Sequence, residues 1–288
     1  MPSNQAANGP RPRAERHVQV VRDSAGRQWV EKRAGPEAEH EALRWRLRNH
    51  HLITCGLDLP GVACSAGLEH DGDDLVLRLP WLPGLSLAKG LLRTGSPRPA
   101  PALAQTVALG AARLLAALET QGIAHGAVHA EHVVWEPKTQ AVSLLDFGQA
   151  RFVRCVAITG GTPAEALTAT TLGDLRDLGA LFYQLSTGHT MPAMSAWPQE
   201  ASSAFWHPQA IAGLSVAHLD TMTRLCFAGL PGGHRSAAAA MADLQALWGG
   251  GSLRADSLLG EPLDLPLPAQ RLGRDKQVAD LLAAHGQA

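Results

Sequence analysis

Four side chains that can bind a metal or move a proton lie within one short stretch of the sequence. They are His125, His129, Glu131 and His132, and the histidines follow the spacing His-x-x-x-His-x-x-His. On a helix this spacing would place three imidazoles on one side, a donor set that suits a transition metal. A loop whose histidines make ordinary hydrogen bonds is the alternative interpretation, and the residues alone leave both open.

A second candidate site residue follows closely along the chain. Asp146 comes directly after the strand-like run Val142–Leu145 and is followed by Phe147 and Gly148. A carboxylate held at the end of a strand can act as a ligand for a hard cation such as Mg²⁺. Asp146 is therefore the strongest single candidate for a site residue.

The first part of the chain predicts strands and one helix. Short runs of β-favouring residues are separated by turn chemistry, and one segment has the spacing of an amphipathic helix. In order, the predicted elements are a strand at 17–22, a strand at 28–32, a helix at 37–48 and two strands within 57–79 around a turn at 69–73.

The second part predicts mainly helices. One continuous apolar stripe, with the spacing of a single helix face, consists of Leu103, Val107, Ala111, Leu114, Leu115 and Leu118. Further helices are predicted near 174–186, 210–227 and 235–248. A strand-rich part joined to a helix-rich part predicts an α+β protein with two lobes.

The domain boundaries follow from these changes in composition. We expect a flexible arm at 1–16, an N-lobe at 17–82, a C-lobe at 83–248 and a C-terminal tail at 249–288.

Composition narrows the classes of partner and location. The 25 basic and 26 acidic residues leave a net charge of −1, which gives no field to attract nucleic acid or an anionic membrane. The sequence lacks an apolar run of about 18 residues, so no membrane span is expected. The four cysteines are scattered without a Cys-x-x-Cys pair, which predicts reduced thiols in a cytoplasmic protein.

Two segments together resemble the catalytic core of the protein-kinase-like superfamily. Gly122–Val134 resembles its catalytic loop, and Leu144–Gly148 resembles the strand end with its Asp-Phe-Gly motif. Further along, Asp174–Gly179 resembles the helix whose aspartate braces that loop. The resemblance covers about Val18 to Trp248 and implies a kinase-like fold with a small β-rich N-lobe and a helical C-lobe.

The resemblance implies a nucleotide site with ATP and Mg²⁺. Lys32 would contact the α- and β-phosphates, and Asp146 would hold a metal that bridges the β- and γ-phosphates. Glu41 is the predicted helical partner of Lys32, with Glu37 or Glu39 as alternatives. The turn before Lys32 has one glycine where the family has a glycine-rich loop, so we expect weak affinity.

The catalytic loop departs from the family pattern at its two most demanding positions. Ala127 stands where the catalytic aspartate would be, and His132 stands where the asparagine that binds the second metal would be. His125 matches a structural histidine of the family, and His129 matches a position where relatives carry His or Lys. These two losses predict a pseudokinase with a regulatory or scaffolding role and an unidentified protein partner.

Two other functions remain open from the sequence. One is an atypical ATP-dependent phosphotransferase acting on a hydroxyl of a protein, sugar or lipid, and the other is the transition-metal protein described above. The branch of the superfamily is also open. Pro83–Leu87 resembles bacterial small-molecule and lipopolysaccharide kinases, whereas Gly161–Pro163 resembles bacterial serine/threonine kinases.

Overall fold

The computed structural model of the protein describes residues 18–90, 101–153, 170–191, 206, 211 and 213–248. The predicted arm, the predicted tail, Gly161–Pro163 and Cys155 lie outside these residues. Cys55, Cys64 and Cys226 are free thiols.

A four-stranded antiparallel sheet forms the first part of the chain. Its strands, in chain order, are β1 (Val18–Arg22), β2 (Gln28–Ala34), β3 (Gly67–Asp71) and β4 (Asp74–Pro80). They lie in the order β1-β2-β4-β3, and every neighbouring pair is antiparallel. The predicted strands within 57–79 therefore begin only at Gly67. Before it, Val62 makes a single parallel bridge to Leu144.

One helix covers a face of this sheet. It begins after a 3₁₀ turn at Ala38–His40 and runs as α1 from Glu41 to Thr54. The predicted end at residue 48 is wrong, because the buried face continues through His50, Ile53 and Thr54. The Thr54 hydroxyl donates to the His50 carbonyl at 2.8 Å and so closes the last turn. A small apolar cluster that includes Val30, Leu47 and Leu77 lies between α1 and the sheet.

The remaining part of the chain consists mainly of helices with a few short strands. The helices are α2 (Leu87–Gly90), α3 (Pro101–Thr120), α4 (Thr171–Thr187), α5 (Val216–Cys226) and α6 (Ala237–Leu247). The strands are β5 (Leu85–Ser86), β6 (Ile123–Ala124), β7 (Val133–Glu136), β8 (Ala141–Leu144) and β9 (Arg151–Phe152). β5, β7 and β8 form one antiparallel sheet, and β6 pairs with β9.

Helix α3 is the centre of a second, larger apolar core. All six residues of the predicted stripe are buried, which confirms that prediction. Within the described residues, α3 is the one helix that is long and apolar enough to cross a membrane by length and composition. Its apolar character is explained by packing, since it contacts α4, α6 and β8.

Helices lie close to neighbouring elements at two glycines. Gly179 of α4 faces the backbone of Cys226, and a Cβ there would lie 2.6 Å from the Cys226 nitrogen. Gly110 of α3 faces Val142 in the same way, with a Cβ 2.5 Å from a Val142 methyl. The chain is thus an α+β protein with a small antiparallel sheet and several packed helices.

Candidate functional site

A cleft of about 880 Å³ lies between the four-stranded sheet and the β7–β8 segment. The apolar part of its lining comes from both sides of the cleft and includes Val30, Leu79, Val134 and Leu145. Four ionisable side chains selected from the sequence, Lys32, Glu131, His132 and Asp146, line the same cleft.

Asp146 is held in an uncommon backbone conformation beside the cleft. It lies two residues after the end of β8, with φ 62° and ψ 73°, in the left-handed region that few non-glycine residues adopt. Its Oδ1 accepts the Gly148 N–H at 3.3 Å and caps the 3₁₀ turn Phe147–Gln149. Its Oδ2 is 3.1 Å from Lys32 Nζ. Backbone strain of this kind, where the surroundings maintain it, is concentrated at functional sites.

The charges around Asp146 determine its ionisation. Desolvation alone would raise the pKa of Asp146, but the positive charge of Lys32, with a further contribution from His132, outweighs desolvation and holds the pKa well below its usual range. Asp146 is therefore ionised at neutral pH. An ionised carboxylate beside an ammonium group provides both a metal ligand and a contact for an anion.

Glu41 does not pair with Lys32, so the predicted helical partner is wrong. Its carboxylate lies 3.6 Å from Arg48 and 4.0 Å from Arg44, on the exposed side of α1. His50, which faces the Asp146 segment, comes nine residues later, about two and a half turns along the helix. Glu41 is therefore on the opposite face of α1.

The two alternative partners of Lys32 also lie elsewhere. Glu37 Oε2 is 2.9 Å from His40 Nδ1, and Glu39 is exposed. Among the described residues, Asp146 provides the one carboxylate within ion-pair distance of Lys32.

The face of α1 that does reach the Asp146 segment consists of Arg46, Asn49 and His50. Asn49 Nδ2 lies 3.1 Å from the Gly148 carbonyl and 2.8 Å from the Ala150 carbonyl. A Cβ on Gly148 would come within 2.9 Å of Arg46 Cβ, so these backbones are in close contact. Asn49 and His50 were not predicted as site residues, because the predicted helix ended before them. The absence of Gly and Pro between residue 48 and Gly56 would have indicated that the helix continues to this face.

His125 is a structural residue. It is fully buried, and its ring lies edge-on to Phe147 with the centroids 4.5 Å apart. Its Nε2 is 2.9 Å from the Leu145 carbonyl, to which it can only donate, and its Nδ1 accepts the Ala127 N–H at 3.3 Å. Burial lowers the pKa of His125 to about 3. With both ring nitrogens occupied, His125 can neither bind a metal nor act as a base.

The three-histidine metal site that the sequence left open as an alternative is not formed among the described residues. In the described part of the chain, no group of three His, Cys, Asp or Glu side chains is arranged to hold a metal ion. The physical reason is that His125 points into the core while His129 is exposed. The rings of His129 and His132 lie in contact at a tilt of 37°, with their centroids 3.9 Å apart.

His132 contacts Asp146, and Ala127 supplies only its backbone. The Nδ1 of His132 lies 3.0 Å from the Ala127 carbonyl, and its Nε2 lies 3.6 Å from Asp146 Oδ2. Desolvation lowers the pKa of His132, while the Asp146 charge acts in the opposite direction. Ala127 is buried, and its methyl side chain cannot accept a proton.

Helix α4 holds the loop that carries these residues. Buried Asp174 accepts the N–H groups of His125 at 2.6 Å and of Gly126 at 2.7 Å. Desolvation raises the pKa of Asp174, and the two N–H donors act in the opposite direction. Asp177 accepts the Val128 N–H at 3.3 Å. Three backbone amides of the loop, those of His125, Gly126 and Val128, thereby donate hydrogen bonds to carboxylates of α4.

The turn between β1 and β2 has few amides left for a ligand. Asp23 Oδ1 accepts the N–H groups of Ala25 and Arg27, both at 2.9 Å, and the Gly26 N–H donates to the Asp23 carbonyl. A hydrogen bond from Trp29 is the main reason that the pKa of Asp23 falls to about 2. The turn is therefore closed on its own carboxylate and offers little to a phosphate.

Comparison with known proteins does not assign the chain to a family. No protein-family model matches it, and no curated protein matches it. The cleft and its charged residues are therefore the basis on which a function can be proposed.

Proposed function

We propose that the chain is a kinase-like nucleotide-binding protein that acts in the cytoplasm as a pseudokinase, with a regulatory or scaffolding role toward a protein partner. In this proposal the four-stranded sheet with α1 is the small N-lobe of a two-lobed kinase-like fold, and the helical part is the C-lobe. The supporting observation is the Lys32–Asp146 pair, at 3.1 Å, in a cleft whose loop carries Ala127.

The segment that joins β4 to β5 supports a nucleobase in the cleft. Pro80 and Pro83 have no N–H, and the Trp81 N–H already donates to the Gln28 carbonyl at 3.3 Å. The Leu82 N–H and carbonyl make no hydrogen bond to the other described residues. One open donor and one open acceptor beside an apolar cleft suit the edge of an adenine ring.

The phosphate end of the proposed site has only part of what tight binding needs. Lys32 can contact phosphate oxygens, and Asp146 can hold a cation that bridges them. The closed turn at Asp23 leaves few backbone amides to surround a triphosphate. We therefore expect weak affinity for ATP with Mg²⁺.

The missing base supports a pseudokinase over an efficient enzyme. A positioned general base contributes roughly 10²–10⁴-fold to a rate. Ala127 cannot take that role, and His125 is buried with both ring nitrogens engaged. A binding function needs neither group.

Thermal unfolding in the presence of nucleotide tests this proposal. We expect ATP or ADP with Mg²⁺ to raise the Tm of the wild type at millimolar concentrations and to leave the Tm of Asp146→Ala unchanged. Asp58→Ala removes an exposed carboxylate elsewhere and should keep the wild-type shift. The absence of any shift in the wild type would contradict nucleotide binding.

A second candidate is an atypical phosphotransferase that acts on a hydroxyl group of a protein, sugar or lipid. The observation that favours it is the exposed residue His129, whose ring lies at a tilt against His132 beside the cleft and could accept a proton in place of the missing aspartate. In that case labelled γ-phosphate should reach an acceptor or water, and both His129→Ala and Asp146→Asn should stop the transfer.

A further inference from the structure

His132 is oriented so that one ring nitrogen faces Asp146. Its Nδ1 lies 3.0 Å from the Ala127 carbonyl oxygen, which can only accept a hydrogen bond, so Nδ1 carries the proton. In the neutral ring the lone pair is then on Nε2. This nitrogen lies 3.6 Å from Asp146 Oδ2, and both side chains line the cleft.

The contact between these two atoms has the dimensions of a pair of metal ligands. At 3.6 Å it is too long for a hydrogen bond. The same separation subtends an angle of about 118° at a cation placed about 2.1 Å from each atom, a usual length for imidazole and carboxylate bonds. Asp146 Oδ1 accepts the Gly148 N–H, and Oδ2 also contacts Lys32 Nζ at 3.1 Å, so a metal bound to Oδ2 would share this oxygen with the ammonium group.

The chemistry of this donor pair does not suit Mg²⁺. Magnesium requires near-octahedral oxygen ligands, whereas an imidazole nitrogen favours first-row transition metals. The pair is also incomplete on its own, because the described residues offer no third side chain for a metal. Phosphate oxygens and water would have to supply the remaining positions.

We propose that His132 and Asp146 form a site for a divalent first-row transition metal, with Mn²⁺ as its probe, and that this metal carries the phosphates of a nucleotide into the cleft. The proposal rests on the nucleotide binding proposed above and specifies its metal. His132 is then a metal ligand that replaces an oxygen ligand by nitrogen, and it changes which metal–nucleotide complex the protein selects.

Calorimetric titration with ADP tests the selectivity. We expect ADP to bind the wild type at least about tenfold more tightly with Mn²⁺ than with Mg²⁺, after correction for the metal affinity of ADP itself. In His132→Asn this ratio should fall to about one, because the site then offers only oxygen ligands. His70→Asn changes an exposed histidine of β3 and should keep the wild-type ratio. Equal affinities in the wild type would overturn the metal proposal even if nucleotide binds.

Pulsed EPR of bound Mn²⁺ tests the ligand directly. With ¹⁵N-labelled ADP, a ¹⁴N coupling to Mn²⁺ can come only from the protein, and we expect it in the wild type and not in His132→Asn. If ADP binds with neither metal, the proposed nucleotide binding is wrong. The metal site is then tested by the EPR spectrum of the protein with Mn²⁺ and no nucleotide. A ¹⁴N coupling with Mn²⁺ alone would then support the site, and its absence would overturn it.

Discussion

Two buried imidazoles flank Phe147, and their burial makes stability depend on pH. His50 is 1% exposed, and its Nε2 bonds to the Ala63 carbonyl at 2.8 Å. Desolvation, with a smaller contribution from the Lys32 charge, lowers the pKa of His50 from 6.5 to about 4. The folded state therefore favours the neutral ring. Its contribution to stability is complete above pH 6.5 and is lost as the pH falls from 6.5 toward 4.

Replacing His50 with leucine should remove part of this pH dependence. At pH 5 His50 binds a proton in the unfolded chain but not in the native state. This lowers the free energy of unfolding by about 2 kcal/mol relative to pH 7. Between pH 7 and pH 5, the free energy of unfolding of His50→Leu should therefore fall by about 2 kcal/mol less than that of the wild type, as measured by urea unfolding. At pH 7 the cost should be about 1 kcal/mol, for the lost bond to Ala63. His70→Leu should behave as the wild type, and an unchanged pH dependence in His50→Leu would contradict the assignment.

At the residue scale, the sequence predicted the cleft residues Lys32 and Asp146 and misplaced the helical partner. Asp146 could be found because a motif of adjacent residues marks it. The partner depends on which face of α1 meets the Asp146 segment. Glu41 was chosen from the local run His40–Leu43, which does not indicate which face turns inward, and it lies on the opposite face.

At the scale of elements, α1 and the turn after Asp146 are joined by one amide. Asn49 Nδ2 lies within 3.4 Å of the carbonyls of Phe147, Gly148 and Ala150. A side-chain amide has two N–H donors, so at least one of them is shared. The position of Asp146 in the cleft is thus coupled to the position of α1.

Removing this amide should loosen the turn and weaken the site. We expect Asn49→Ala to lose about 1–3 kcal/mol of stability in urea unfolding, because buried carbonyls lose their donor. Hydrogen exchange at the amides of Gly148 and Ala150 should also become faster. Arg48→Ala, on the exposed side of the same helix, should change neither property. Normal exchange at these amides in Asn49→Ala would show that the turn is held by other contacts.

Helix packing sets a second prediction at this scale. A Cβ on Gly179 would lie 2.6 Å from the Cys226 nitrogen and 2.8 Å from its sulfur, so α4 and α5 would have to separate. We expect Gly179→Ala to destabilise the protein by about 1–3 kcal/mol. At Gly56 nothing lies within 4 Å of the added Cβ, so Gly56→Ala is the matched control and should be close to neutral. Equal stability of the two variants would contradict the close approach of these helices.

The elements themselves were predicted unevenly. The buried stripe of α3 was correct because its spacing comes from one helix face and needs no partner to be recognised. The strands β5, β6 and β9 have two residues each, and such short strands are defined by their pairing across the chain. Local sequence carries no signal for that pairing.

At the scale of the whole molecule, the two parts of the chain together hold residues that the proposed phosphoryl-transfer site would need. The loop at Ala127 is tied to α4 through Asp174, and Lys32 and Asp146 already meet in the cleft. Most of the catalysis in phosphoryl transfer comes from positioning and charge stabilisation. In the proposed pseudokinase, Ala127 and His132 would then account for the absence of phosphoryl transfer.

Restoring both positions tests this directly. We expect wild type to transfer no labelled γ-phosphate to water, to itself or to added acceptors, with either Mg²⁺ or Mn²⁺. The double variant Ala127→Asp/His132→Asn should transfer phosphate with Mg²⁺ at a rate at least about 100-fold above the detection limit, because it gains a base and an oxygen ligand. Adding Asp146→Asn should abolish that gain.

Robust transfer by the wild type would favour the phosphotransferase instead. A double variant that binds nucleotide without transferring phosphate would place the deficit elsewhere, and the closed turn at Asp23 would be the first position to change.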